Sequence, residues 1–227
     1  MLRRSLFTTL ATFVAGAALV SGASAAESPP SATAVSSSMA YASTIRSINP
    51  RLSLRRSRIY AAKVLSEAHR TRLDPLLLMA VVTVESGWNA AARSYTGAQG
   101  LGQLMPETAR ELGVDPRIGT ANLHGAASYL ARLLAHFHLA ADPVELAVAG
   151  YNAGPAAIGP SGHIPRNGET PRYVRKVLGT FETFRRRLGN ATDDSSELAV
   201  LSNAAVLSAV ARAATTYWGA TEGAPAN

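Results

Sequence analysis

Apolar positions along the chain recur at helical spacing, and no stretch alternates as a half-buried strand would. The plainest case is PLLLMAVVTVES, Pro75 to Ser86, which is apolar nearly all the way round. Asp74 and Pro75 open it and Gly87 stops it. An aspartate N-cap with proline at the first helical position is a start signal, and a helix apolar on every side is a buried one. Asp142-Pro143 repeats that start ahead of VELAVAGYNAG, and Pro106 begins ETAREL, which Gly113 ends. Leu123, Ala126, Ala127, Leu130, Leu133, Leu134 and Phe137 keep i, i+3, i+4, i+7 spacing, as do Val174, Val177, Leu178 and Phe181 after Thr170-Pro171. The pattern predicts an all-α domain over residues 51–188. Its ~140 residues suffice to bury about two-thirds of the surface of the unfolded chain.

The flanks read differently. Residues 1–25 carry Arg3 and Arg4, an apolar run from Leu6 to Val20, and the small-residue pattern Ala23-Ser24-Ala25. That is the form of a secretory signal peptide, so the protein is expected to be exported, periplasmic or secreted. No second apolar stretch approaches the ~20 residues of a membrane span, so no stable span is expected in the mature chain. Residues 26–50, rich in Ser, Ala and Pro, read as a flexible linker. Residues 189–227 read as an Ala/Ser-rich tail with room for one helix around Glu197 to Ala213 and no assignable partner.

Composition narrows the function. Cysteine is absent, which excludes a disulfide framework and a cysteine-linked lipid anchor. The formal net charge is +7, with basic clusters at Arg51, Arg55, Arg56, Arg58 and Lys63 and again from Arg172 to Arg187. In an exported chain such runs point to an anionic envelope polymer rather than nucleic acid, and each residue singly also fits a solvated helix face.

The chemistry centres on Glu85, a lone carboxylate in the last turn of the apolar helix. Carbonyls at that helix end disfavour its ionised form, and the neighbours Val81, Val82 and Trp88 add desolvation. Glu85 is therefore a candidate general acid. No other carboxylate lies between Ser86 and Pro106, whereas ordinary glycosidases set two across the scissile bond. Ser94, Tyr95, Thr96 and Gln99, with Gly97, Gly100 and Gly102, form a hydroxyl- and glycine-rich loop suited to an oligosaccharide; the phosphate-loop and dinucleotide patterns are absent. His136 and His138 are two apart on a helix, and His69, His124 and His163 lack partners at ligand spacing, so neither a metal nor any other cofactor is expected. No Gly-x-Ser-x-Gly elbow supports a serine hydrolase.

Three blocks, ESGWNAAARSYTGAQGLGQLMPETA, AGYNAGP and IPRNGETPRYVRKVL, resemble in order and spacing those of the soluble lytic transglycosylase catalytic domain. The resemblance runs from about Ile59 to Phe181. It implies a lysozyme-like helical domain with a cleft, acting on peptidoglycan glycan strands. It implies Glu85 as catalytic acid/base and Ser94 as the serine beside that acid. Gln103 and Met105 fall on the cleft-lining block, Tyr151 and Asn152 on the second block, and Glu169 and Tyr173 on the third, all as substrate-binding positions. Two departures stand out: Gly102 occupies a position where many members carry methionine, an apolar wall of the cleft, and Gly150 replaces a more usual alanine.

The resemblance further implies cleavage of the β-1,4 bond between N-acetylmuramic acid and N-acetylglucosamine with closure of a 1,6-anhydro ring. Two alternatives stay open. One is a lysozyme-type hydrolase in which Asp115, Glu145 or Glu169 activates water; the other is a non-catalytic exported wall-binding module.

Overall fold

The computed structural model describes residues 32–158 and 162–189. The expected signal peptide and the tail after Gly189 lie outside them. Among the described residues eight α-helices run in chain order: α1 Ala32–Ile48, α2 Leu54–Thr71, α3 Pro75–Ser86, α4 Pro106–Glu111, α5 Gly119–His136, α6 Pro143–Ala153, α7 Pro155–Ile158 and α8 Glu169–Phe184. A π-helical turn, Arg185–Gly189, follows. Among the described residues no strand forms, only isolated bridges pairing Gln99 with Arg93 and with Leu104. The all-helical expectation therefore holds.

Local chemistry explains the ends of α3. The Asp74 carboxylate accepts from the Leu76 amide at 2.8 Å, Pro75 needs no amide partner, and Gly87 closes the helix at φ +55°. Every residue from Pro75 to Val82 is buried. The reason is position: α3 packs against α2, α5 and α8. Around it α5 packs on α2 and α6, and α6 on α8. The start at Pro143 is as expected, although Asp142 makes no side-chain cap bond. Helix α8 begins at Glu169, one residue before the expected Thr170-Pro171 start.

The linker expectation is corrected for most of its length. Helix α1 occupies Ala32–Ile48, and Tyr41, Ala42 and Ile45 are buried in the common core. These three residues lie on one side of the helix and dock it on α2, so the packed unit starts upstream of residue 51. Among the described residues no helix is long and apolar enough to cross a membrane.

A polar knot ties α2 to α5. Glu67, only 3% exposed, receives hydrogen bonds from Lys63, from Arg70 at 2.6 Å, and from the His124 imidazole at 3.1 Å. Burial alone would raise this carboxyl. The bonds from Lys63, Arg70 and His124 outweigh it and hold the pKa at about 2.

Candidate active site

Glu85 stands in the last turn of α3, just beyond the fully buried stretch. Burial pushes its carboxyl up to about 7, against the opposing effects of a hydrogen bond from Tyr173 and the charge of Lys176. The Tyr173 hydroxyl, from α8, donates to Oε1 at 2.6 Å. Tyr151, buried in α6, also lies within electrostatic reach: burial first, then the charge of Glu85, hold both phenols well above their ordinary range. The Tyr151 ring packs on Tyr129, with centroids 5.1 Å apart. The α3–α8 contact thus delivers a neutral donor to an acid that sits half-protonated near pH 7. Lys176, one turn beyond Tyr173, supplies the positive charge that opposes the rise of the Glu85 carboxyl.

The glycine-rich loop is clamped to this centre by three side chains. Ser86, next to the acid, donates its hydroxyl to the Leu101 carbonyl at 2.7 Å. Tyr151 donates to the Gly102 carbonyl at 2.9 Å. Asn122, fully buried in α5, accepts from the Gly102 amide at 2.6 Å and donates to the carbonyls of Gln99 and Pro116 at 2.8 and 2.9 Å. Both faces of the Gly102 position are thereby fixed. A Cβ there would meet Ala126 Cβ at 2.6 Å and the Tyr151 hydroxyl at 2.9 Å. Gly102 is therefore enclosed, and the expected loss of an apolar cleft wall does not describe it. At Gly150 a Cβ would press only on the Phe137 and Leu133 side chains, at 3.1 and 3.2 Å, a matter of packing.

Sequence-assigned positions divide into groups. Glu85, Tyr151 and Tyr173 come together. The Ser94 hydroxyl pairs with Thr96 at 2.9 Å and accepts from the Ala98 amide, and makes no hydrogen bond to Glu85. Gln103, at φ +46°, donates its amide to the carbonyls of Ala92 and Gly100, so this amide folds the loop. Asn152 accepts from the Thr170 hydroxyl at 2.9 Å, joining α6 to the start of α8. Met105 is 41% exposed at the head of α4, and Glu169 is exposed at the head of α8. Asn122 was not among the expected residues. Its signal is faint, since all its partners are backbone groups elsewhere in the chain.

None of the three alternative water-activating carboxylates, Asp115, Glu145 and Glu169, joins Glu85 through a hydrogen bond. Asp115 is instead bound by Arg117 at 2.8 Å, and those bonds hold its carboxyl down to about 2. Among the described residues no group of three or more His, Cys, Asp or Glu is placed to hold a metal.

Residues 63–171 match the model of the transglycosylase SLT domain. Over those residues, a little under half of its length, the chain is similar to this family. It is 32% identical over 142 residues to the transglycosylase of Enterobacteria phage PRD1, covering 61% of this chain and 49% of that protein. It is 32% identical over 125 residues to membrane-bound lytic murein transglycosylase F of Desulfosudis oleivorans, covering 53% of this chain and 28% of that protein. The chain therefore spans about half the length of the first relative and little more than a quarter of the second. Its fold is similar to the crystal structure of the 70 kDa soluble lytic transglycosylase of Escherichia coli, with a TM-score of 0.51, 22% identity, and coverage of 69% of this chain and 30% of that one. The SLT match encloses Glu85, the clamped loop and Tyr151, and ends at residue 171, two positions before Tyr173.

Proposed function

We propose that this SLT domain is a lytic transglycosylase that cleaves peptidoglycan glycan strands, with Glu85 as its single acid and base. The observation that carries the reading is the setting of Glu85: buried enough to titrate at about 7, held by a neutral phenol at 2.6 Å, and with no carboxylate among the groups that act on it. A group poised there can both give and accept a proton near neutral pH.

In this reading the protonated Glu85 gives its proton to the glycosidic oxygen between N-acetylmuramic acid and N-acetylglucosamine as the bond from C1 to that oxygen breaks. The 2-acetamido group stabilises C1. The muramoyl 6-hydroxyl then transfers its proton to the Glu85 carboxylate as its oxygen bonds to C1 and closes the 1,6-anhydro ring. The acid is regenerated and no water is consumed. Tyr173 keeps one carboxylate oxygen occupied and leaves the other for transfer. Tyr151, through the Gly102 carbonyl, fixes the loop beside it. Ser94, Gln103, Met105, Asn152 and Glu169 are proposed to line or shape the sugar site. The leader and the basic clusters support action in the periplasm or outside the cell.

The products decide. Mass spectrometry of muropeptides from purified sacculi, with and without borohydride, should find ends one water lighter than hydrolysis gives, and not reducible. Predominantly reducible ends would reject the ring closure in favour of the hydrolase. No new ends at all would favour the wall-binding module.

A further inference from the structure

The corner between α1 and α2 carries four arginines, of which Arg56 interacts with the Tyr60 hydroxyl. Arg51, Arg55, Arg56 and Arg58 are all exposed, and none forms an ion pair among the described residues. Arg55, Arg56 and Arg58 stand in the first turns of α2, which holds no acidic residue in its first turn, so their charges oppose the helix dipole and destabilise the helix they sit on. Leu54 and Ile59 beside them are 43% and 42% exposed, too isolated to make an apolar face.

This corner is also attached to the turn that ends the acid's helix. Asn49 donates to the Trp88 carbonyl at 3.3 Å, and Tyr60, on the buried side of α2, stacks on the Trp88 ring with centroids 6.2 Å apart. Trp88 follows Glu85 by three residues and is fully buried. The segment that carries the arginines is thereby packed, through Trp88, on the turn that follows Glu85.

We propose that Arg51, Arg55, Arg56 and Arg58 form a docking surface for the carboxylates of the peptide side chains of peptidoglycan. The proposal rests on the reading of this polymer as substrate. Guanidinium groups bind carboxylates as paired hydrogen-bonded forks, and exposed ones do so without desolvating a buried charge. Peptides hang from the same strand whose sugars would lie at Glu85, so binding at the corner raises the effective concentration of glycosidic bonds at the acid. A lipid surface would offer phosphates without that continuity.

The test uses the full chain carrying Glu85→Gln, so that binding is read without cleavage. Its cosedimentation with purified sacculi is compared with that of the same chain carrying R51Q, R55Q, R56Q and R58Q, on intact sacculi and on sacculi stripped of peptides by an amidase. The expected result is about a tenfold weakening by the four substitutions on intact sacculi, and a similar weakening on removal of the peptides. On stripped sacculi the substitutions should change nothing further. Equal binding of the two proteins to intact sacculi overturns the proposal, as does undiminished binding of the parent to stripped sacculi. Loss of binding to phosphatidylglycerol vesicles with none to sacculi assigns the corner to a membrane surface and also overturns it. A version with lysine at all four positions, which keeps the charge but not the fork, should bind more weakly than the parent and more tightly than the glutamine version, and binding equal to the parent's would overturn the paired-fork contact; a thermal melt matching the parent's excludes misfolding. The active chain on the same sacculi separates the two readings. Absence of new glycan ends removes the enzyme, whereas new ends with arginine-independent binding remove only the docking surface.

Discussion

Glu67 on α2 and Glu85 on α3 are both withdrawn from water, and they arrive at opposite states. Three donors meet Glu67, two of them permanent cations or nearly so, and it remains ionised down to about pH 2. One neutral phenol meets Glu85, with Lys176 acting only through its charge, and it titrates at about 7. Burial pushes both upward; what separates them is how many donors the neighbouring helices supply. The first arrangement joins α2 to α5. The second leaves a proton available where α3 meets α8.

The largest effect should come from Glu85→Gln. The amide keeps the shape and removes the only local proton donor, so wall-degrading activity should fall by ~10²–10⁴-fold with the fold intact. The same substitution should stabilise the protein at alkaline pH. A carboxyl raised from 4.5 to about 7 favours folding below 4.5 and loses that contribution as pH rises through 7. At pH 8 the variant should gain roughly 1–3 kcal/mol, read by urea unfolding. Wild-type turnover by a folded Gln variant would remove Glu85 from the mechanism.

Glu67→Gln reverses the pattern. Lys63 and Arg70 are 29% and 46% exposed and can turn to water, so the loss near neutral pH should be about 1–3 kcal/mol, below that for a fully enclosed pair. A carboxyl lowered from 4.5 to about 2 stabilises above 4.5 and loses that contribution as pH falls through 2. The variant's stability should accordingly vary less over that acid range, while turnover per folded molecule is unchanged. A wild-type acid limb in chemical denaturation would show that the knot is energetically idle.

Tyr173→Phe sharpens the contrast by removing the one donor Glu85 has. The acid's pKa should rise, moving the alkaline limb of the pH–rate profile upward, with roughly a tenfold loss of maximal rate as the carboxyl loses its anchor. A fallen rate with an unmoved limb would make the phenol a packing residue only. Smallest is Lys176→Met, which should shift the limb in the same direction by less, the difference fading as salt is added. A shift independent of ionic strength would mean that Lys176 does not act through its charge.

Much of this was legible in the chain. Helices with a proline start and a glycine stop, α3 and α4 above all, declare their ends locally, and three motif blocks in register pointed to Glu85. Helix α1 was not legible because its core contact rests on Tyr41, Ala42 and Ile45 within an Ala/Ser-rich sequence. Tertiary packing supplies what its own pattern does not. The Glu67 knot was hidden for a different reason. Lys63, Glu67 and Arg70 have the spacing of a solvated helix face, and His124 comes from another helix. The loop's hydroxyl and amide groups suggested sugar contacts, yet the Ser94 hydroxyl and the Gln103 amide bond to the loop itself. Residue type shows which bonds are possible; only the folded path shows which partner comes first.

The enclosure of Gly102 has a thermodynamic consequence for whatever enters beside Glu85. With its amide and carbonyl both held by side chains from α5 and α6, this segment cannot swing as a flap without breaking two bonds and opening the contact with Ala126. A ligand thus meets a wall already set, and association carries little cost of ordering the protein. Recognition here should resemble a key entering a cut lock, with the adjustment left to the incoming chain.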